Sequence, residues 1–123
     1  MDKIFIAIGS FAAFLGVGFG AFGAHALRDR LSEQMLTVWQ TGVLYQLVHA
    51  LGLILIGILI HLYSGIGSLK LAGWLLVSGI ILFSGSLYLL AFFEIRQFGM
   101  ITPIGGLAFL VGWLVLATGM LKQ

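Results

Sequence analysis

The chain has 123 residues, of which 61% are hydrophobic and only 8% charged, with a formal net charge of +2. A water-soluble domain carries about a quarter of its residues charged, so no aqueous surface can be assembled here and the solvent for most of the chain is lipid. Cysteine is absent, which excludes disulfides, thiol catalysis and cysteine-ligated metals, and the scattered cations form no basic run of the kind that binds nucleic acid.

The first apolar stretch runs from Ile4 to Ala24, close to the roughly 20 residues that cross a ~30 Å hydrocarbon core. Ala24-His25-Ala26 has the small-x-small look of a signal cleavage site. The apolar run is nevertheless longer than the roughly 7–15 residues of a signal h-region, and only Asp2 and Lys3 precede it, so it reads as a retained helix. Ala12, Gly16, Gly20 and Ala24 form a small-xxx-small ridge along it, of the kind that lets helices approach closely. In residues 25–42, Leu27, Leu31, Met35 and Val38 recur at helical spacing while Arg28, Arg30 and Glu33 take other faces. This pattern predicts a short amphipathic segment at the headgroups that runs on into the second span, with Trp39 as an interfacial anchor.

The second span covers Val43 to Leu62, and Ser64–Ser68 reads as a turn. A third span covers Leu71 to Phe93, Glu94–Gly99 connects, and a fourth covers Ile101 to Leu121. Thr102-Pro103 reads as N-cap and first helical residue of that last helix. Ala108 and Gly112 begin a second, shorter ridge, with Gly105 and Gly119 on nearby faces.

Lipid offers the backbone no hydrogen-bond partners, so continuous apolar stretches of this length span only as helices, whereas a barrel would show shorter alternating segments. The expectation is a single-domain, all-α integral membrane protein of the cell membrane, an up-down bundle of four transmembrane helices. Both termini then share a side with Lys3 and Lys70, and Arg28, Arg30 and Arg96 lie opposite. Counting Lys122 on the first side balances the positive-inside rule; the termini are assigned to the cytoplasm.

Antiparallel helices give each residue a leaflet. Nearly every notable polar side chain falls in the half away from the termini: His25, Gln40, Thr41, Tyr45, Gln46, His49, Ser84, Ser86, Tyr88, Glu94 and Thr102. The candidate binding cluster takes His25, Trp39, Gln40, Tyr45, Gln46, His49, Ser84, Ser86, Tyr88 and Thr102. Tyr45 and His49 share a helix face at a spacing of four, and Gln46 flanks His49 at three. Polar groups at membrane depth turn into the bundle, where they find partners. One reading makes this cluster interhelical glue; the other makes it a ligand or metal pocket, or a proton path. A haem between His25 and His49 belongs to the second reading. Phe83-Ser84-Gly85-Ser86 lacks the G-x-S-x-G turn of a serine nucleophile. No residue is assigned as catalytic or as a metal ligand, and no cofactor is assigned.

Four motifs occur in order along the whole chain: Gly20-Ala21-Phe22-Gly23-Ala24-His25; Trp39-Gln40-Thr41-Gly42 with Tyr45-Gln46 and His49; Phe83-Ser84-Gly85-Ser86-Leu87-Tyr88; and Thr102-Pro103-Ile104-Gly105-Gly106. Together they resemble domain-of-unknown-function family 423, small bacterial inner-membrane proteins with eukaryotic transmembrane relatives. The resemblance implies a four-helix membrane protein and transfers no catalytic residue. Short loops and glue-like polar residues motivate the functional expectation, a non-enzymatic binding or structural component of the membrane. The expected partners are the lipid bilayer and either a second copy or another membrane protein. An oligomeric transporter or channel for ions or small solutes is the alternative, and a haem or metal redox protein a third reading.

Overall fold

Each apolar stretch closes its backbone hydrogen bonds along itself, and a computed structural model describing residues 1–122 accordingly contains four helices long and apolar enough to cross a membrane. They are α1 (Asp2–His25), α2 (Glu33–Leu62), α3 (Ser68–Phe93) and α4 (Thr102–Leu121). The helices run up and down with short links, and no strand occurs among the described residues.

Helix α2 starts ten residues before the expected second span and has 30 residues, a length of about 45 Å. Ser32 is its N-cap and accepts the Met35 backbone N–H at 3.1 Å, while Glu33 complements the helix dipole in the first turn. Residues 33–42 are thus the opening turns of a spanning helix. Trp39 turns into the bundle instead of outward to the headgroups. It is 6% exposed and packs with Leu27, Val43 and Ala91 in a core cluster at the end away from the termini.

Helix α3 contains a π-turn at Ile80–Ser84, where the Gly85 N–H donates to the Ile80 carbonyl, five residues back. Before it, Leu69, Ala72, Leu76 and Gly79 are buried at spacings of three and four; Ser84 is buried at its end, and Leu87 and Ala91 follow. The step from Gly79 to Ser84 is five, so the π-turn absorbs one extra residue and keeps both halves facing the bundle. The helix ends at Glu94, which adopts left-handed backbone at φ 55°. In α4 the cap position falls on Ile101 instead of Thr102, and Pro103 occupies the first turn. Thr102 is left free to bond sideways.

Glycines set the helix spacing. On α1 the buried positions Gly9, Gly16 and Gly23 recur every seven residues, and on α4 Gly105, Gly112 and Gly119 do the same. A seven-residue repeat keeps one seam facing its neighbour in left-handed packing. A Cβ at Gly9 would lie 2.6 Å from the Ala50 carbonyl oxygen, and one at Gly16 2.7 Å from Leu47 Cδ2. The packing seam on α1 therefore passes through Gly16 but not Ala24, which is exposed, and the seam on α4 runs through Gly105 instead of Ala108. α1 packs along α2 and α4 along α3, with α2 and α3 in contact between them. Nearer the termini the core is Phe5, Leu53, Ile56, Ala72, Leu76 and Phe109.

Candidate functional site

Gln46 lies one helical turn before Ala50, on the face of α2 that α1 covers, and is 4% exposed. Its Nε2 donates to the Ala12 carbonyl of α1 at 2.8 Å, and its Oε1 accepts from the Tyr88 hydroxyl of α3 at 2.6 Å. One amide therefore fixes the relative register of three helices. One turn nearer the start of α2, the Gly42 carbonyl accepts from Ser84 Oγ at 2.7 Å. Ser84 is fully buried at the end of the π-turn. Trp39 Nε1 donates to the Phe19 carbonyl at 2.9 Å.

The other side of α2 faces α4 through His49. Trp113 Nε1 donates to His49 Nε2 at 3.0 Å, and His49 Nδ1 lies 2.7 Å from the Tyr45 carbonyl. An indole nitrogen only donates and a carbonyl only accepts, so these partners define a neutral imidazole with its proton on Nδ1. The ring also stacks on Phe109 at 3.5 Å between centroids. Ser86 Oγ donates to the Phe83 carbonyl at 2.9 Å and lies 2.6 Å from Thr102 Oγ1, so the Thr102 hydroxyl donates to Ser86 and ties α3 to the start of α4.

The structure thus engages Trp39, Gln46, His49, Ser84, Ser86, Tyr88 and Thr102 in bonds between helices. Tyr45 is 39% exposed and contributes its ring, 4.5 Å from Phe83. His25 and Gln40 do not join; both are exposed. The backbone of α1 passes the residue after His49 at Gly9, and His25 lies sixteen residues further along α1, about 24 Å away at 1.5 Å per residue. A haem held between these two histidines is excluded by that separation. Two residues absent from the sequence-based set, Trp113 and Phe109, complete the surroundings of His49. The obligation of a buried indole N–H to find an acceptor was the available signal for Trp113.

Both His49 nitrogens are occupied by the protein's own groups, so the ring offers no lone pair to a metal without surrendering Trp113. No group of three His, Asp or Glu residues converges among the described residues. The buried serine hydroxyls are committed to carbonyls. Alongside this network an open, almost wholly apolar groove of ≈ 560 Å³ runs between α2 and α4, lined by Tyr45, Val48, Phe83, Pro103, Leu107 and Leu110 with His49 at its floor.

The family described as Protein of unknown function (DUF423) matches residues 19–106. Among curated proteins, the UPF0382 membrane protein YwdK of Bacillus subtilis is 48% identical over 120 residues, covering 98% of each chain. A UPF0382 membrane protein of Staphylococcus epidermidis is 49% identical over 122 residues, covering 98% of this chain and 97% of its own. One from Staphylococcus saprophyticus is 51% identical over 122 residues, covering 98% of each. No solved structure matches.

Proposed function

For a chain that belongs to the DUF423 family of multi-pass membrane proteins, we propose that it acts without catalysis, as a binding component of the membrane. The observation that carries this reading is the saturation of its polar interior. Among the described residues no buried side-chain nitrogen or oxygen lacks a hydrogen-bond partner. The buried groups that would serve as nucleophile, base or ligand are spent on holding helices together, at on the order of 0.6 kcal/mol per bond in a bilayer. What is left free to act is the outer surface, made of the lipid-facing grooves and the exposed polar residues at the helix ends. The bundle centre is filled by Phe5, Leu53, Ile56 and Leu76, which supports binding over conduction through a single copy.

Site-specific photocrosslinking from lipid-facing positions in intact membranes should capture a discrete neighbour. Ser84→Ala should lower the melting temperature without abolishing that capture. Failure to capture any neighbour from any face would overturn the reading. So would flux of ions or small solutes through reconstituted proteoliposomes that Ser84→Ala eliminates.

A further inference from the structure

Two glycines inside the membrane have no use for being glycine within their own chain. Gly18 in α1 and Gly85 in α3 lie in right-handed helix, and no glycine among the described residues has a positive φ. A Cβ added at either would meet nothing within 4 Å, whereas at every other glycine of the four helices it would touch a neighbour within that distance. Glycine is the least favourable helix-interior residue after proline. Acyl chains pack against leucine as readily as against glycine. What an exposed glycine uniquely permits in lipid is close approach by another helix.

Both glycines line grooves on one side of the molecule, and Gly85 also borders a second groove towards Phe98 and Ile101. The groove containing Gly18, flanked by Phe14 and Phe22, and the groove containing Gly85, flanked by Phe11 and Ile81, share Leu15 and Phe19 as their common wall. The helix carrying most of this side, α1, is the least covered of the four, with 17% of its most apolar window buried against 44% for α2. Neither groove contains an Asp, Glu, Lys or Arg, so two copies can face each other here without like-charge contact.

We propose that the α1–α3 side binds a second copy of this chain, in a twofold pair whose phenylalanine rings seat in the partner's notches at Gly18 and Gly85. This deepens the binding reading above, on which it rests, by naming the face and the partner. A twofold contact is self-complementary, so ridges and notches must lie side by side on one surface, as they do here. Phe11, Phe14 and Phe22 are 62%, 69% and 48% exposed, about 350 Å² per copy at roughly 200 Å² for a whole phenylalanine. Adding Val17 and Ile81, 64% and 65% exposed, brings a pair to about 1,100 Å², above the ~1,000 Å² expected of a specific interface.

The absence of cysteine makes the test clean. Ser10→Cys and Ala21→Cys lie on the proposed face, and Leu55→Cys on α2 and Leu114→Cys on α4 lie on other exposed faces. Oxidation in native membranes should give disulfide-linked dimers from the first two and not from the controls. Adding Gly18→Leu, alone or with Gly85→Leu, should cut that crosslinking at least tenfold while the monomer's melting temperature stays within a few degrees. Crosslinking through the control faces only, or undiminished crosslinking in Gly18→Leu, overturns the proposal. Capture of a different protein at Ser10 or Ala21 overturns the second copy but leaves the binding reading standing. A chain with no neighbour on any face removes both.

Discussion

Gly105 and Gly106 are adjacent, carry the same side chain and lie in the same helix, yet the structure assigns them opposite sensitivities. A methyl at Gly105 would come within 2.7 Å of Phe83 Cα and 2.8 Å of the Leu82 carbonyl carbon, both backbone atoms of the π-turn. No rotamer change relieves such a contact; α3 and α4 must separate. At Gly106 the nearest atom is a Phe83 ring carbon at 3.7 Å, an ordinary van der Waals distance. Overpacking of a tight site costs about 1–3 kcal/mol, and separating the helices also weakens the Ser86–Thr102 bond, so Gly105→Ala should lose about 2–3 kcal/mol. Gly106→Ala gains helix propensity of at most ~1 kcal/mol and should be neutral or slightly stabilising. The expected gap is about 3 kcal/mol, a factor of roughly 100 in the folding equilibrium by the tenfold-per-1.4 kcal/mol rule. Reversible unfolding of purified protein in mixed micelles, followed by helicity, measures it. Equal stabilities within ~0.5 kcal/mol would refute the claim that backbone contact at the π-turn holds α4 in place.

Three further outcomes follow from single contacts. Gln46→Leu removes two interhelical hydrogen bonds and should cost about 1–1.5 kcal/mol at ~0.6 kcal/mol each; a double-mutant cycle with Tyr88→Phe should show a coupling of about 0.6 kcal/mol, and zero coupling would mean the Tyr88 bond does not form. Nitrogen NMR of His49 should find the proton on Nδ1 in the wild type and also in Trp113→Phe, where the Tyr45 carbonyl still accepts it, while the Nε2 resonance shifts as its donor is lost; an unchanged Nε2 resonance would show that Trp113 does not bond it. Glu94→Gly should raise stability by about 0.5–1 kcal/mol, because relief of a left-handed non-glycine residue outweighs the added freedom of the unfolded chain; a lower melting temperature would contradict this.

The four spans were legible because lipid leaves an uninterrupted apolar run only one way to bury its backbone. The early start of α2 was less so: Glu33 to Gly42 mixes polar and apolar residues, and the same periodicity serves a surface helix or the end of a long spanning one. Ser32, placed ahead of Glu33 as a cap, was the local signal. The π-turn left no mark, since Ile80-Ile81-Leu82-Phe83 is apolar on every face and no period betrays the additional residue. The polar cluster was readable in outline, because polar groups at depth turn inward. Its partners were not, as carbonyl acceptors such as those of Ala12, Phe19 and Gly42 carry no sequence signature. His25 and Gln40 lie near helix ends where water can satisfy them, and depth alone did not separate them from Gln46. The family resemblance is shown by the relatives of matching length.

The π-turn in α3 makes one stretch of the chain tolerant of a change in length. A deletion inside an α-helix ordinarily rotates everything beyond it by about 100°, turning a bundle-facing half towards lipid. Between Gly79 and Ser84 the reverse holds. Removing one exposed residue there, Ile81, shortens the buried step from five to four, the spacing of an unbroken α-helix, and leaves both halves aimed at the bundle. A chain lacking Ile81 should therefore insert and pack, with its melting temperature lowered only modestly, while one lacking Leu55 in α2 should fail to accumulate in the membrane. The segment is in effect a splice point within a spanning helix, where the thread can lose a residue without re-threading the bundle.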